Sequence, residues 1–208
     1  MQNKDKKNST FWNQPLVLEI IGFILTIIVG SWLTYYFNQI SWKNKTNFEI
    51  HKETLKEAIQ VEEDILSSAK KRIYNLNRIN TKLENNRLSD VKKIWDKYYK
   101  TVEEWNINIK INEYKVKYLF GEKISLLFLD NNENNISNPK SLHHVIRKTH
   151  NSVNDFRKCK KKREPCKKKE QDSKEKLRIL KNTYNEFSKV LYKSINEKKK
   201  LFRLNNEN

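Results

Sequence analysis

The side chains in this chain that could do chemistry are few. Cys159 and Cys166 stand at C-x6-C spacing inside the run KCKKKREPCKKK. That spacing belongs to neither a zinc site nor a redox pair. Neighbouring lysines would lower the thiol pKa values and favour reactivity. We read the two as unpaired thiols. A local disulfide, which needs an oxidising compartment, and metal binding are the alternatives. His143 and His150 share a helical face at i, i+7, while the adjacent His144 points elsewhere. Without a fixed carboxylate, surface or partly packed histidines are the reading, ahead of a metal site. Asp130 and Glu133 are loose acids, far from a calcium-loop pattern. No P-loop, GxSxG, HExxH or CxxC is present. The sequence therefore points to a non-enzymatic protein without cofactor or metal.

Charge is the stronger signal. The formal net charge is +18 over 208 residues. From Arg147 to Lys169 there are eleven Lys/Arg and two acids, a net +9 in 23 residues. The candidate patch is Arg157, Lys158, Lys160, Lys161, Lys162, Arg163, Lys167, Lys168 and Lys169. Such a run is either a solvated flexible loop or a contact for an acidic protein, anionic lipid or nucleic acid.

The element that must position this patch begins in a membrane. No charge occurs from Ile20 to Trp42, 23 residues. At about 1.5 Å per residue such a helix crosses a hydrocarbon core of about 30 Å. Phe11 and Trp12 precede it, and Trp32, Tyr35, Tyr36 and Trp42 close it, as two interfacial belts. Pro15 suits the helix start. Glu19, about one turn inside, snorkels or pairs within an oligomer. A cleaved signal peptide is the rival reading, but the apolar run is long for one and no small-x-small site follows. Gly22, Thr26, Gly30 and Thr34 recur every four residues, with Ser31 alongside. Small residues at that spacing let helices approach, and Thr hydroxyls can bond across the contact. This predicts self-association or docking on another membrane helix; the alternative is that Gly and Thr are simply common in membrane helices.

Residues Pro15, Leu16, Val17, Gly22, Phe23, Leu25, Thr26, Gly30, Leu33, Thr34 and Gln39 form PLVxxxxGFxLTxxxGxxLTxxxxQ. This string resembles an N-terminal signature of uncharacterised small bacterial single-pass membrane proteins with a helical tail. It covers roughly 25 residues, and the resemblance implies an anchor type without an activity. Abundant Lys, Asn and Ile suit an A/T-rich bacterial or phage genome.

The remaining chain has only Gly121, Pro139 and Pro165 as glycine or proline. Sandwiches, barrels and Rossmann folds need more turn residues, so the predicted fold class is all-α. One transmembrane helix continues into the first helix of a roughly four-helix antiparallel bundle. The predicted organisation is a polar tail over 1–14, an anchor over 15–40, and a basic bundle over 41–208 with its Lys/Arg-rich loop near 157–169. Phe48, Leu55, Ile59, Leu66, Ala69, Ile73 and Leu76 mark the bundle face of a rod from about Pro15 to about Asn80. Asn85, Asn86 and Ser89 supply a turn and a cap. Val91, Ile94, Trp95, Tyr98, Val102, Trp105 and Ile109 mark the second helix. Over Ile107–Tyr118 the partial alternation could suit a strand, but helix is favoured. The aromatics Trp95, Tyr98, Tyr99 and Trp105 read as core. The apolar stretch around Gly121 reads as core, and 130–139 as a loop. Ser141 caps a third helix carrying Leu142, Val145, Ile146, Val153 and Phe156. A final helix, from about Asp172 to Leu204, carries Leu177, Leu180, Tyr184, Phe187, Leu191 and Ile195 on one face.

Parity decides where the basic loop lies. With a short element at 118–129, the loop falls at the end of the bundle opposite the anchor; a full extra helix there would reverse it. The near-tie of flanking lysines (Lys4, Lys6 and Lys7 against Lys43, Lys45, Lys52 and Lys56) leaves the positive-inside rule undecided. Free thiols and the basic tail favour a cytoplasmic bundle on the bacterial inner membrane. The functional expectation is a membrane-anchored scaffold or sensor. The alternatives are a membrane-perturbing effector, for example in phage defence, and a tether for nucleic acid or anionic lipid.

Overall fold

In a computed structural model, residues 15–129 and 140–204 are described. The expected N-terminal tail, the Phe11–Trp12 belt and the 130–139 loop lie outside them. Among the described residues there are five helices and no strand. They are α1 (Pro15–Glu84), α2 (Leu88–Phe120), α3 (Glu122–Phe128), α4 (Leu142–Lys162) and α5 (Lys167–Leu204). The all-α bundle expected from the scarcity of Gly and Pro is the fold. The chain divides into two compact units, Met1–Ile50 and His51–Asn208.

The first unit holds the part of α1 that includes the charge-free segment. It contains one window long and apolar enough to cross a membrane, and none of that window is buried. Trp32 stacks on Tyr36 at 5.8 Å, and Gln39 Nε2 donates to the Tyr35 hydroxyl at 2.8 Å, so the ring cluster is ordered along the helix.

The second unit is the bundle. Its side-chain pairs give antiparallel registers between α2 and α4 and between α4 and α5. Between α1 and α5, Ser173 Oγ donates to Asn80 Oδ1 at 2.7 Å. Between α2 and α4, Tyr98 pairs with His150 and Trp105 with His143, both at 2.9 Å. Between α4 and α5, Thr149 Oγ1 donates to the Lys176 carbonyl at 3.2 Å, and Ser152 bonds Asp172. Tyr98, Phe128, Phe156, Leu76, Leu142, Ile146, Leu180 and Leu191 are fully buried. Burying each large apolar side chain contributes about 1.5–3 kcal/mol, which is what holds helices of such high charge together.

The ends of the helices follow local rules. Asn86 takes φ +52°, and the Asn86 and Arg87 N–H groups bond the Leu83 and Lys82 carbonyls at 3.1 and 2.9 Å. That is a Schellman ending, and Asn tolerates the left-handed position. Gly121, at φ +87°, makes the break between α2 and α3 that a residue with a Cβ rarely adopts. Ser141 caps α4 as expected, accepting from the His144 N–H at 3.4 Å.

Several expectations are corrected. α2 starts at Leu88 with Arg87 in the cap position and no side-chain cap, so Ser89 lies inside the helix. α2 continues to Phe120, removing the strand reading of Ile107–Tyr118. α5 begins at Lys167, five residues before Asp172. The buried seam of α1 runs through Ala58, Val61, Ile65, Ala69, Ile73 and Leu76, while Leu55, Ile59 and Leu66 flank it half-buried. At 100° per residue Ala58, Val61 and Ile65 centre the inward face with Ala69 and Leu76, and Leu55, Ile59 and Leu66 lie to one side of it. Tyr99 is exposed, because of the four aromatics expected as core only Trp95, Tyr98 and Trp105 fall on the inward face of α2.

Candidate functional site: a stapled basic end and an open anchor face

The small-residue face of the anchor is exposed. A Cβ built on Gly22 or Gly30 meets nothing within 4 Å. Thr26 and Thr34 donate to the carbonyls of Gly22 and Gly30 at 2.9 and 2.8 Å. Their hydroxyls are therefore satisfied inside the helix. What this face offers a neighbour is closeness of approach, with the Thr26 and Thr34 hydroxyl oxygens left to accept.

The basic run is not a loop. Arg157, Lys158, Lys160, Lys161 and Lys162 form the last turns of α4, and Lys167, Lys168 and Lys169 open α5. Arg163 stands between them at φ +57°, in the left-handed position that ends α4. Cys159 and Cys166 form a disulfide with Cα atoms 5.9 Å apart, across this turn. That spacing is within the range a bridge requires. The expectation of unpaired thiols is thus overturned: Pro165 and the αL residue fold the chain back and bring the two cysteines together. The premise of free thiols for a cytoplasmic bundle goes with it.

α3 has seven residues, too short to reverse the order of the long helices, so the basic turn lies beside the α1–α2 turn. Lys160 Nζ donates to Asn86 Oδ1 at 2.8 Å and joins the two. Both turns sit at the end of the bundle opposite His51. Arg157 is a structural member of the patch. Its guanidinium lies 4.0 Å over the Trp95 ring and bonds Asn154 Oδ1 at 3.1 and 2.8 Å. Its pKa is lowered by burial, partly offset by Asp96. Lys158, Lys161, Lys162, Arg163, Lys167, Lys168 and Lys169 are exposed.

The structure adds residues that the sequence reading missed. Arg78 and Lys82 on α1, with Lys93 and Lys97 on α2, line a cavity of about 230 Å³ with Asn75, Asp90 and Ile94. Lys82 pairs with Asp90 at 3.1 Å, which lowers the Asp90 pKa through that hydrogen bond and charge. The available signal was two i, i+4 cation pairs flanking the Asn85–Asn86 turn, which an antiparallel hairpin sets face to face. The result is an end built from both turns and dominated by positive charge.

His143 and His150 lie elsewhere, half-buried between α2 and α4. Trp105 Nε1 donates to His143 Nδ1, and His150 Nδ1 meets the Tyr98 hydroxyl. Burial, then the charge of Arg72, lowers both to about 4, so both are neutral at pH 7. Arg72 is 3% exposed, its guanidinium 5.9 Å from the Tyr98 ring and 5.6 Å from the Trp105 ring. One of its amino groups reaches the Tyr98 hydroxyl at 3.4 Å, while its Nε has no hydrogen-bond partner among the described residues. Burial raises the Tyr98 pKa despite the nearby Arg72. This is a packed aromatic cluster around a cation. Among the described residues no three His, Cys, Asp or Glu side chains gather as metal ligands.

Comparisons of the chain with models of protein families, with curated proteins and with solved structures return no match.

Proposed function

We propose that this chain is a single-pass membrane protein of the scaffold or sensor kind, which self-associates through Gly22, Thr26, Gly30 and Thr34 and offers the stapled basic end of its bundle to a polyanionic partner. The observation that carries the reading is that none of the apolar window of α1 is buried among the described residues. An apolar surface of that length has no stable place in water, and a bilayer is the solvent that fits it. The setting is a bacterial cytoplasmic membrane, as the anchor signature implies. The disulfide supports an oxidising compartment for the bundle, with the three N-tail lysines on the cytoplasmic side.

The basic end supports contact with anionic lipid headgroups or another phosphate-bearing polymer. Each basic residue close to such a surface contributes about 1 kcal/mol. Alkaline extraction of membranes from cells expressing the full chain tests the anchor. The protein remains with the membranes and leaves only with detergent; recovery in the alkaline supernatant would remove the reading. Gly22→Leu/Gly30→Leu tests the association face by crosslinking in the membrane. The variant loses its oligomer, whereas an unchanged oligomer rejects this face.

A further inference from the structure

The outward side of α2 carries an apolar stripe that the bundle does not use. Ile107 is 73% exposed, Ile111 55%, Tyr114 71% and Tyr118 70%. Their spacing is 4, 3, 4, the spacing of a two-helix seam over about one and a half heptads. The opposite side of the same turns is core: Trp105, Val116 and Leu119 are buried, and Ile109 is half-buried against them. α2 is therefore apolar on two faces along this stretch, and only one is satisfied among the described residues. Tyr114 and Tyr118 stack at 6.4 Å with an interplanar angle of 6°, a flat surface to pack against. Contiguous exposed patches of this kind mark interaction sites.

The residues beside the seam select the partner. In heptad order the flanking positions are Asn108, Lys110, Lys115 and Lys117. A second copy packed in parallel would set Lys110 against the partner copy's lysine at position 115. An antiparallel copy would also oppose lysine to lysine. Both arrangements put like charges at the positions that decide pairing. Lys110 and Lys117 are 64% and 60% exposed and pair with Glu113 at 3.2 Å and Glu122 at 3.5 Å. Such pairs are weak and exchange readily for a better acid.

We propose that this face of α2 docks an amphipathic helix of a partner protein, with apolar residues along its seam and acids on both sides. The inference is independent of the anchor and of the basic end. The test uses the full chain in nanodiscs. The probes are two synthetic helical peptides of about four heptads, with Ile and Leu in the seam and flanked by Glu in one and by Lys in the other. Fluorescence anisotropy should show the Glu-flanked peptide binding at least tenfold more tightly than the Lys-flanked one. Ile111→Ser/Tyr114→Ser should weaken it at least tenfold, with an unchanged circular dichroism spectrum, since both residues are exposed. Equal affinity for the two peptides, or an affinity that the serine variant leaves unchanged, overturns the proposal. So does an Ile111→Cys variant that forms disulfide-linked dimers through this face, which would make a second copy the occupant.

Discussion

Lowering the pH from 7 to 5 should destabilise the bundle through two histidines that contact no ligand. His143 and His150 are held to about 4 in the folded chain, against an ordinary 6.5. The causes are burial first, then Arg72 from α1, with Arg147, His144 and Lys110 adding at His143 and Arg157 at His150. Between pH 6.5 and 4 the unfolded chain binds protons that the folded chain refuses, so stability rises with pH across that window. It is complete above pH 6.5 and is lost as the pH falls toward 4. Linkage from pH 7 to 5 gives about 2 kcal/mol for each ring before screening. Both rings retain partial exposure, and solvent screening reduces this to about 1 kcal/mol each, about 2 kcal/mol together. For a bundle of this size that lowers Tm by about 4–8 °C. Thermal unfolding of the full chain in detergent, followed by circular dichroism at both pH values, reads this directly. His143→Gln/His150→Gln supplies the control. Glutamine keeps a hydrogen-bonding group and does not titrate, so the double variant should lose most of the pH dependence. Burial raises the Glu62 carboxyl, which works in the opposite sense, but it is common to both proteins and cancels in the comparison. Equal falls in Tm for the two proteins would refute the reasoning.

Other outcomes follow from the same contacts. Arg72→Met should change stability by less than about 1 kcal/mol in urea, because it removes a buried cation whose Nε is unpartnered, and NMR titration should find His150 closer to its ordinary value. A loss above about 3 kcal/mol would show that the ring contacts of Arg72 dominate its burial cost. Cys159→Ser/Cys166→Ser should cost about 2 kcal/mol by chain entropy for so short a loop, and reductant should lower the Tm of the wild type but leave that variant unchanged. Arg163→Gly should raise Tm slightly, by relief of about 0.5–1 kcal/mol at a left-handed position, provided the bridge is intact. Lys161→Gln/Arg163→Gln/Lys167→Gln/Lys168→Gln in nanodiscs should flatten the salt dependence of binding to a short single-stranded oligonucleotide by about three units of log K per log salt, and an unaltered slope would place the contacts elsewhere.

Much of the bundle was readable because helical period and turn chemistry agree. Leu142, Val145, Ile146, Val153 and Phe156 on α4, and Leu177, Leu180, Phe187, Leu191 and Ile195 on α5, are the buried residues their spacing predicts. The α1 seam was partly misplaced because Leu55, Ile59 and Leu66 outweigh Ala58 on any hydrophobicity count, although Ala58 is the one fully buried; Ala69, Ile73 and Leu76 are buried as their spacing predicts. The cysteine pair was misread because the pairing depends on the left-handed Arg163, and arginine does not announce that conformation. The cavity of Arg78, Lys82, Lys93 and Lys97 was missed because its members come from two helices, and only the hairpin sets them together. The exposed face of α2 was hidden for a related reason: Ile107, Ile111, Tyr114 and Tyr118 count as core by composition, and only the packing of α2 shows which side is satisfied.

Protease treatment of intact spheroplasts shows whether α1 crosses once with the bundle on the oxidising side. The bundle should be digested from outside while a short fragment containing Leu18–Trp42 stays in the membrane. A bundle protected until the cells are broken, or the absence of any membrane-retained fragment, would contradict it.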